Sequence, residues 1–188
     1  MKHSVALIIG HSEDDQGARN KKSNISEFMF NSYLAVMIRH ELEGLNYTVH
    51  TVIRDSGYGD LPRKVNDTKA DIAVSLHCNA FNNLKHGSET LYYNGSVNGK
   101  MLADYIQSYV VYTLGTENRG LKPCDYDYIG KTGDKGGYLL KYTSMPCVIV
   151  EPFFIDCDES LYLAQCKFHE LAHAYVCGIR DYFYHVGV

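Results

Sequence analysis

Three polar side chains stand where predicted strands end, and their types suit a metal ion. The apolar run VALIIG leads into His11, DIAVSLHCNA carries His77, and VIVEPFF places Glu151 inside otherwise apolar sequence. Open α/β sheets bind ligands beyond the carboxyl ends of their strands, so we expect these side chains to share one edge. Two histidines and one glutamate are the ligands of many catalytic zinc sites, which leave a fourth position for water, and Glu151 would then be the base beside the metal. The pattern therefore predicts a hydrolytic metal centre.

Each of these residues also has an ordinary structural interpretation. A lone histidine at a strand end is more often simply hydrogen-bonded, and Glu151 could form a structural salt bridge. Glu27, near the start of a predicted helix, could do no more than complement the helix dipole. The combination of two strand-end histidines with a carboxylate in an apolar run favours the metal.

The segment HELAH, residues 169–173, fits H-E-x-x-H, the helical zinc signature of metalloproteases. Its two histidines lie on the flank of the apolar stripe of the last predicted helix, with Glu170 on the opposite side. The extended signature requires glycine at position 176, where this chain has Val176, and no glutamate follows Glu170. We therefore predict that His169 and His173 are partly solvated helix residues and not a protease site.

The elements that position the candidate residues follow from the apolar pattern. Short runs bounded by turn residues predict five strands. They are Ser4–Gly10, Tyr47–Ile53, Asp71–Asn79, Glu89–Tyr93 and Pro146–Phe154. Apolar residues at helical spacing predict helices within residues 30–45, 101–109 and 161–179. This alternation indicates an α/β fold with a largely parallel sheet.

Residues 116–138, TENRGLKPCDYDYIGKTGDKGGY, show no clear period and contain five glycines. We predict a long loop here, and long loops in compact domains tend to be functional. The segment GKTGDKGG within it resembles part of a phosphate-binding loop but lacks the required first glycine, where Asp125 stands. We therefore predict no nucleotide site.

Length and composition limit the classes of function. The 188 residues, 45% of them apolar, can fill one core, so we expect residues 1–188 to form a single catalytic domain without a separate wall-binding domain. Eighteen basic and 22 acidic residues give a net charge of -4, which argues against nucleic acid as a partner.

The first apolar run and the cysteines bear on the compartment. The run from Val5 is six residues long, too short for a signal peptide or a membrane span, so we predict cytoplasmic synthesis without a signal peptide and no membrane insertion. Six cysteines without a C-x-x-C pair predict free, buried thiols in a reducing compartment.

Motifs along nearly the whole chain resemble the zinc-dependent N-acetylmuramoyl-L-alanine amidases of the Amidase_3 type. The most specific are SLHCNAF and VEPFFI, and LIIGH, SEFMFNSYLA and HGSETLYY add to them. The resemblance implies a mixed, mostly parallel central sheet with helices on both faces. It also implies that His11, Glu27 and His77 hold one zinc ion and that Glu151 is the catalytic carboxylate.

Other polar residues occupy positions that recur in this family. The resemblance implies substrate-binding or supporting roles for Asn79, Arg63 and Arg119, and Asn66 is a further recurrent position. The family usually has a glycine-rich turn after the first histidine, whereas this chain reads HSEDDQGA and places three acids, residues 13–15, beside the metal.

The activity implied by the resemblance is hydrolysis of the amide that joins N-acetylmuramic acid to L-alanine in peptidoglycan. Zinc would activate a water, and Glu151 would carry its proton to the leaving nitrogen. Two alternatives stay open: an endopeptidase that uses the same zinc site, and a non-catalytic wall-binding module of this fold. We expect a monomer that acts on the cell wall after release, as an endolysin or an autolysin does.

Overall fold

The computed structural model describes residues 2–54, 57–125 and 136–187, and in these residues six strands form one sheet. The strands are β1 Ser4–Ile9, β2 Thr48–Ile53, β3 Ile72–Leu76, β4 Ser88–Tyr93, β5 Asn118–Cys124 and β6 Cys147–Glu151. Their order across the sheet is β2-β1-β3-β6-β4-β5. All five predicted strands are present, with ends that differ by up to three residues.

Two of the six strands run against the other four. Neighbouring pairs among β2, β1, β3 and β6 are parallel, whereas β4 is antiparallel to β6 and parallel to β5. Residues at the starts of β4 and β5 therefore lie at the same sheet edge as the carboxyl ends of β1, β3 and β6. This edge brings together side chains from five strands.

Helices cover both faces of the sheet. Six α-helices lie in the described residues: α1 Glu27–Gly44, α2 Leu61–Asp67, α3 Val97–Leu114, α4 Gly137–Tyr142, α5 Asp158–Cys166 and α6 Phe168–Val186. A short 3-10 turn, Tyr58–Asp60, precedes α2. The helix α1 begins where the Ser26 side chain accepts a hydrogen bond from the N–H of Met29, at 3.1 Å.

The alternation of side chains along the strands separates two apolar cores. Val5, Leu7 and Ile9 of β1 point to the core that contains residues of α1, α3, α5 and α6. Ala6 and Ile8 point to the smaller core beneath α2 and α4. Because strand side chains alternate in this way, a strand buried on both faces is apolar at every position.

Two predictions about elements are wrong in part. Residues 116–138 are not one long loop, because β5 occupies Asn118–Cys124 and α4 begins at Gly137. Residues 126–135 lie outside the described part of the chain, as does most of GKTGDKGG. The single helical pattern of residues 161–179 divides into α5 and α6 at Lys167, whose N–H donates to the carbonyl of Leu163 at 3.1 Å.

The cysteines are free, as predicted. Cys78, Cys147, Cys157 and Cys177 are buried, but Cys124 is half-buried and Cys166 is exposed, so the prediction of burial is wrong for these two. Cys166 is exposed because it lies in the last turn of α5, on the side away from the core residues Leu161 and Ala164.

None of the helices in residues 2–54, 57–125 and 136–187 is both long enough and apolar enough to cross a lipid bilayer.

Candidate metal centre

Three side chains gather at the sheet edge where β1 and β3 end. His11 follows β1, His77 follows β3, and Glu27 is the first residue of α1. One ligand atom from each lies within 4.8 Å of the other two, and the described residues contain no second such group of three or more. The structure therefore brings together the three residues that the family resemblance implies as metal ligands.

The carboxylate of Glu27 lies at the middle of this group and is buried, with 3% of its surface exposed. Its Oε1 accepts from the backbone N–H of Cys78 at 2.9 Å and lies 2.9 Å from His77 Nδ1. Its Oε2 accepts from the N–H of Ala18 at 3.2 Å and lies 3.3 Å from His11 Nε2. Both backbone N–H groups hold the carboxylate between the two imidazoles.

The ionised carboxylate of Glu27 and the donor types of the group suit a cation. Burial alone would raise the pKa of Glu27, but hydrogen bonds and charge from His11 and His77 outweigh it and hold that pKa far below its usual range. Burial lowers the pKa of His11, while the hydrogen bond and the charge of Glu27 raise it more, so the net shift is upward. Two imidazole nitrogens and an ionised carboxylate oxygen form a donor set that zinc accepts.

Two glycines give the ligands their space. A Cβ at Gly10 would lie 1.9 Å from His77 Nε2. A Cβ at Gly17 would lie 2.7 Å from Glu27 Oε2 and 2.7 Å from His11 Cδ2, and Gly17 has a φ of +69°, which L side chains rarely adopt. Neither glycine was predicted from the sequence to belong to the site, although Gly17 is the turn residue of HSEDDQGA.

Glu151 ends β6 beside this group. The N–H of His77 donates to the carbonyl of Val150 at 3.1 Å, so Glu151 follows directly alongside. Its Oε2 is shielded from solvent and has no hydrogen-bond partner among the described residues. Burial, followed by the charges of Glu27 and Glu89, raises the pKa of Glu151 well above its ordinary value. A carboxyl group in this state readily holds a proton.

An ion pair lies on the outer side of His11. Arg54 contacts the carboxylate of Asp15, and its Nη2 lies 3.2 Å from His11 Nδ1. Asp15 Oδ1 is 3.6 Å from the same ring nitrogen. All three predicted rim acids are exposed, and of them Asp15 is the one that contacts His11 and Arg54.

Asn79 and Arg119, for which supporting roles were predicted, both contact Glu89, which was not predicted to belong to the site. Asn79 Nδ2 donates to Glu89 Oε1 at 2.7 Å, and Arg119 Nε donates to Glu89 Oε2 at 2.9 Å. Glu89 pairs with Glu151 across β4 and β6. The alternation of the strand GSETLYY gave no signal for Glu89, because an acid at a strand start is usually solvated.

Arg63 and Asn66 lie apart from this cluster, on α2. Arg63 is exposed and pairs with Asp67 at 3.3 Å and Asp60 at 3.7 Å. Asn66 donates to the carbonyl of Tyr142 at 2.9 Å and accepts from Ser144, which ties α2 to the segment before β6. The structure thus does not bring either side chain to the three ligands, and the substrate-binding role of Arg63 stays a prediction.

His169 and His173 of the HELAH segment are exposed on α6, as predicted. His173 Nδ1 lies 2.8 Å from Glu41 Oε2, and its Nε2 lies 3.3 Å from Cys177 Sγ. Neither histidine belongs to a group of three or more potential metal ligands in the described residues, so the structure gives no support for a metalloprotease site on α6.

Comparison with known proteins gives a consistent result along the chain. Residues 5–181 match the Amidase_3 family, described as N-acetylmuramoyl-L-alanine amidase. The N-acetylmuramoyl-L-alanine amidase LytC of Bacillus subtilis strain 168 is 30% identical over 158 residues, which are 81% of this chain and 29% of LytC. An uncharacterized cell wall amidase of Bacillus anthracis is 35% identical over 125 residues, 61% of this chain and 22% of that protein. The chain spans less than a third of either relative.

Solved amidase structures share the fold. An N-acetylmuramoyl-L-alanine amidase from Clostridium difficile 630 superposes with a TM-score of 0.82 at 24% identity, over 97% of each chain. The CwlD amidase from Clostridioides difficile, solved in complex with the GerS lipoprotein, gives 0.83 at 25% identity, over 97% of this chain and 99% of that one. The predicted mixed, mostly parallel sheet with helices on both faces is confirmed.

Proposed function

Because the chain belongs to the Amidase_3 family of N-acetylmuramoyl-L-alanine amidases, we propose that it hydrolyses the amide between N-acetylmuramic acid and L-alanine in peptidoglycan. The observation that carries this proposal is the group of His11, Glu27 and His77 at one sheet edge, with Glu151 beside it, whose Oε2 has no hydrogen-bond partner among the described residues. The group supplies ligands and Glu151 supplies the acid–base function that amide hydrolysis needs.

We assign one zinc ion to His11, Glu27 and His77. Three protein ligands with an open fourth position are typical of catalytic zinc, and the half-buried histidines leave the site accessible. When bound, zinc would lower the pKa of a water to about 7 and stabilise negative charge on the carbonyl oxygen.

The residues around the ligands have separate tasks. His11 turns Nε2 toward Glu27, so its Nδ1 faces the ion pair of Arg54 and Asp15, with Arg54 Nη2 at 3.2 Å and Asp15 Oδ1 at 3.6 Å, and this pair limits the rotation of the ring. Arg54 holds Asp15 in place through their ion pair. The backbone N–H groups of Cys78 and Ala18 donate to the carboxylate of Glu27 and keep it oriented toward the histidines.

Glu151 moves the proton. It accepts a proton as a water attacks the carbonyl carbon, holds it, and donates it to the leaving nitrogen of L-alanine. Its raised pKa suits the second half of this task, because the group must hold the proton before passing it on.

The test is mass spectrometry of purified peptidoglycan digested by the zinc-loaded protein. The proposal predicts peptides with a new L-alanine amino terminus and glycan strands without peptides, and it predicts that a chelator stops their release. New amino termini inside the stem peptide would instead make the protein an endopeptidase on the same site. Binding to the wall with no new termini would make it a non-catalytic wall-binding module.

A further inference from the structure

We propose that Glu89 is a positioning residue of this site and that it holds Arg119 as a fork for a carboxylate of the stem peptide. The inference rests on the proposed amidase function and adds to it a preference for a free carboxylate over a carboxamide. It follows from the contacts of Glu89, from the contacts that hold Arg119, and from the two positive side chains, Arg119 and Lys122, that face Glu89.

Glu89 is placed to organise the rim of the site. It lies at the start of β4, opposite Glu151 in β6 and Gly120 in β5, and only 13% of its side chain is exposed. Each of its carboxylate oxygens accepts one short hydrogen bond, Oε1 from Asn79 and Oε2 from Arg119. Glu89 therefore links the segment after His77 to the strand β5.

Arg119 is held along its whole length. Gly87, with a φ of +110°, lets the aliphatic part of Arg119 pass over the backbone, because a Cβ there would lie 2.7 Å from Arg119 Cδ. The guanidinium lies over the ring of Phe154, with Cζ 5.1 Å from the ring centroid. Its Nε is used by Glu89, while neither Nη donates to any residue in the described part of the chain.

The charge of the cluster favours an anion. Lys122 Nζ lies 3.8 Å from Glu89 Oε2 and donates to the carbonyl of Arg119 at 2.7 Å. Two positive side chains, Arg119 and Lys122, thus face the single carboxylate of Glu89. A guanidinium with both Nη groups available recognises a carboxylate through two parallel hydrogen bonds. The stem peptide carries such groups, and we assign Arg119 to the free carboxylate of its second residue.

The experiment compares two synthetic N-acetylmuramoyl tetrapeptides that differ only at residue two of the peptide, with a free carboxylate or a carboxamide. The zinc-loaded wild-type protein is expected to favour the carboxylate by about tenfold in kcat/KM, since a hydrogen bond to a charged group has that weight. In Glu89→Gln the preference is expected to fall to less than about threefold, mainly through a higher KM. Zinc content is expected to stay at the wild-type value.

The matched control is Glu43→Gln. It removes an equal charge from a carboxylate that pairs with Arg39 Nε at 2.8 Å on the exposed side of α1. It should keep the wild-type preference. Arg119→Lys is the second variant, because it keeps the positive charge but not the fork, and it should also lose the preference.

Three outcomes would overturn the inference. Equal hydrolysis of both peptides by the wild-type protein would remove the carboxylate fork and leave the amidase function intact. A wild-type preference retained in soluble Glu89→Gln, or in Arg119→Lys if Glu89→Gln does not fold, would remove the positioning role. Hydrolysis of neither peptide by the zinc-loaded protein would overturn the amidase proposal as well.

Discussion

At the scale of single residues, Glu27 shows how one carboxylate can be prepared for a metal. Two backbone N–H groups fix its position, and two imidazoles hold it ionised despite its burial. A buried charge is costly without such partners. The contacts that stabilise the carboxylate therefore also orient the other two ligands.

Glu151→Gln is predicted to keep the metal and lose turnover. Glutamine has nearly the same shape, but it cannot take up and release the proton, so kcat should fall by about 10²- to 10⁴-fold. Zinc content by metal analysis should match the wild type. Glu159→Gln, an exposed acid of α5, is the control and should keep full activity. Wild-type turnover in Glu151→Gln would remove Glu151 from the mechanism.

Gly17→Ala is predicted to weaken zinc binding much more than Gly115→Ala. Both glycines have a positive φ, +69° and +63°, so an alanine causes similar backbone strain at either position. Only at Gly17 does the new Cβ meet Glu27 and His11, whereas at Gly115 nothing lies within 4 Å. Titration with zinc should show at least about a tenfold loss of affinity for Gly17→Ala, as expected when ligands are displaced. Equal affinities in the two variants would show that the Gly17 turn does not set the ligand geometry.

The sequence allowed the ligands to be predicted because each histidine directly follows an apolar strand, a position that the fold class links to ligand binding. Glu27 carried no such signal, and it was identified through the resemblance alone. Glu89 and the Asp15–Arg54 pair were missed because their roles depend on which strands become neighbours. Local sequence does not specify that β4 runs against β6.

At the scale of secondary-structure elements, the buried strands were predictable and the edge strand β5 was not. NRGLKPC contains Gly120 and Pro123, which are typical of loops. The outermost strand of a sheet has no neighbouring strand on one side, so a proline nitrogen on that side leaves no hydrogen bond unmade. Such a segment can therefore still pair with β4 on its other side. Apolar periodicity cannot detect a strand of this kind.

Helix α3 is joined to the sheet by the buried side chain of Gln107. Its Oε1 accepts from Thr90 at 2.7 Å and from Ser88 at 3.3 Å. Its Nε2 donates to the carbonyl of Ser88 at 2.7 Å and to Asn118 Oδ1 at 2.9 Å. This amide therefore fixes the starts of β4 and β5, next to Glu89 and Arg119.

Gln107→Leu is predicted to lower the free energy of unfolding by about 2–4 kcal/mol, because it leaves several buried polar partners without a hydrogen bond. In a chain of this size the loss corresponds to a fall in Tm of roughly 5–15 °C. Gln165→Leu, on the exposed side of α5, is the control and should change stability by less than about 0.5 kcal/mol. Similar thermal shifts in both variants would contradict the role of Gln107.

At the scale of the whole molecule, stability should depend on pH through the buried carboxyl group of Glu151. The folded state raises its pKa above the ordinary value of 4.5, so the folded protein binds this proton more tightly than the unfolded chain does. The resulting stabilisation is fully present below pH 4.5 and is lost as the pH rises through the folded-state pKa.

Metal-free Glu151→Gln should therefore become more stable than the metal-free wild type as the pH rises. Glutamine is neutral at every pH, so the variant lacks the cost of ionising a buried group. We expect the Tm of Glu151→Gln minus that of the wild type, measured in chelator from about pH 5 to about pH 9, to grow with pH. Each 1 kcal/mol of difference in the free energy of unfolding corresponds to about 2–4 °C in Tm. Glu159→Gln should show no such trend. A difference in Tm that stays constant with pH for Glu151→Gln would mean that the folded state does not raise the pKa of Glu151.

The proposed amidase activity depends on one zinc ion that His11, Glu27 and His77 hold jointly at the sheet edge. The most direct measurement is anomalous diffraction at the zinc absorption edge from crystals of the protein grown with zinc. We predict one strong peak at about 2.0–2.2 Å from a nitrogen of each histidine and an oxygen of Glu27. An empty position between these three side chains, with zinc bound instead at His169 and His173 of α6, would contradict it.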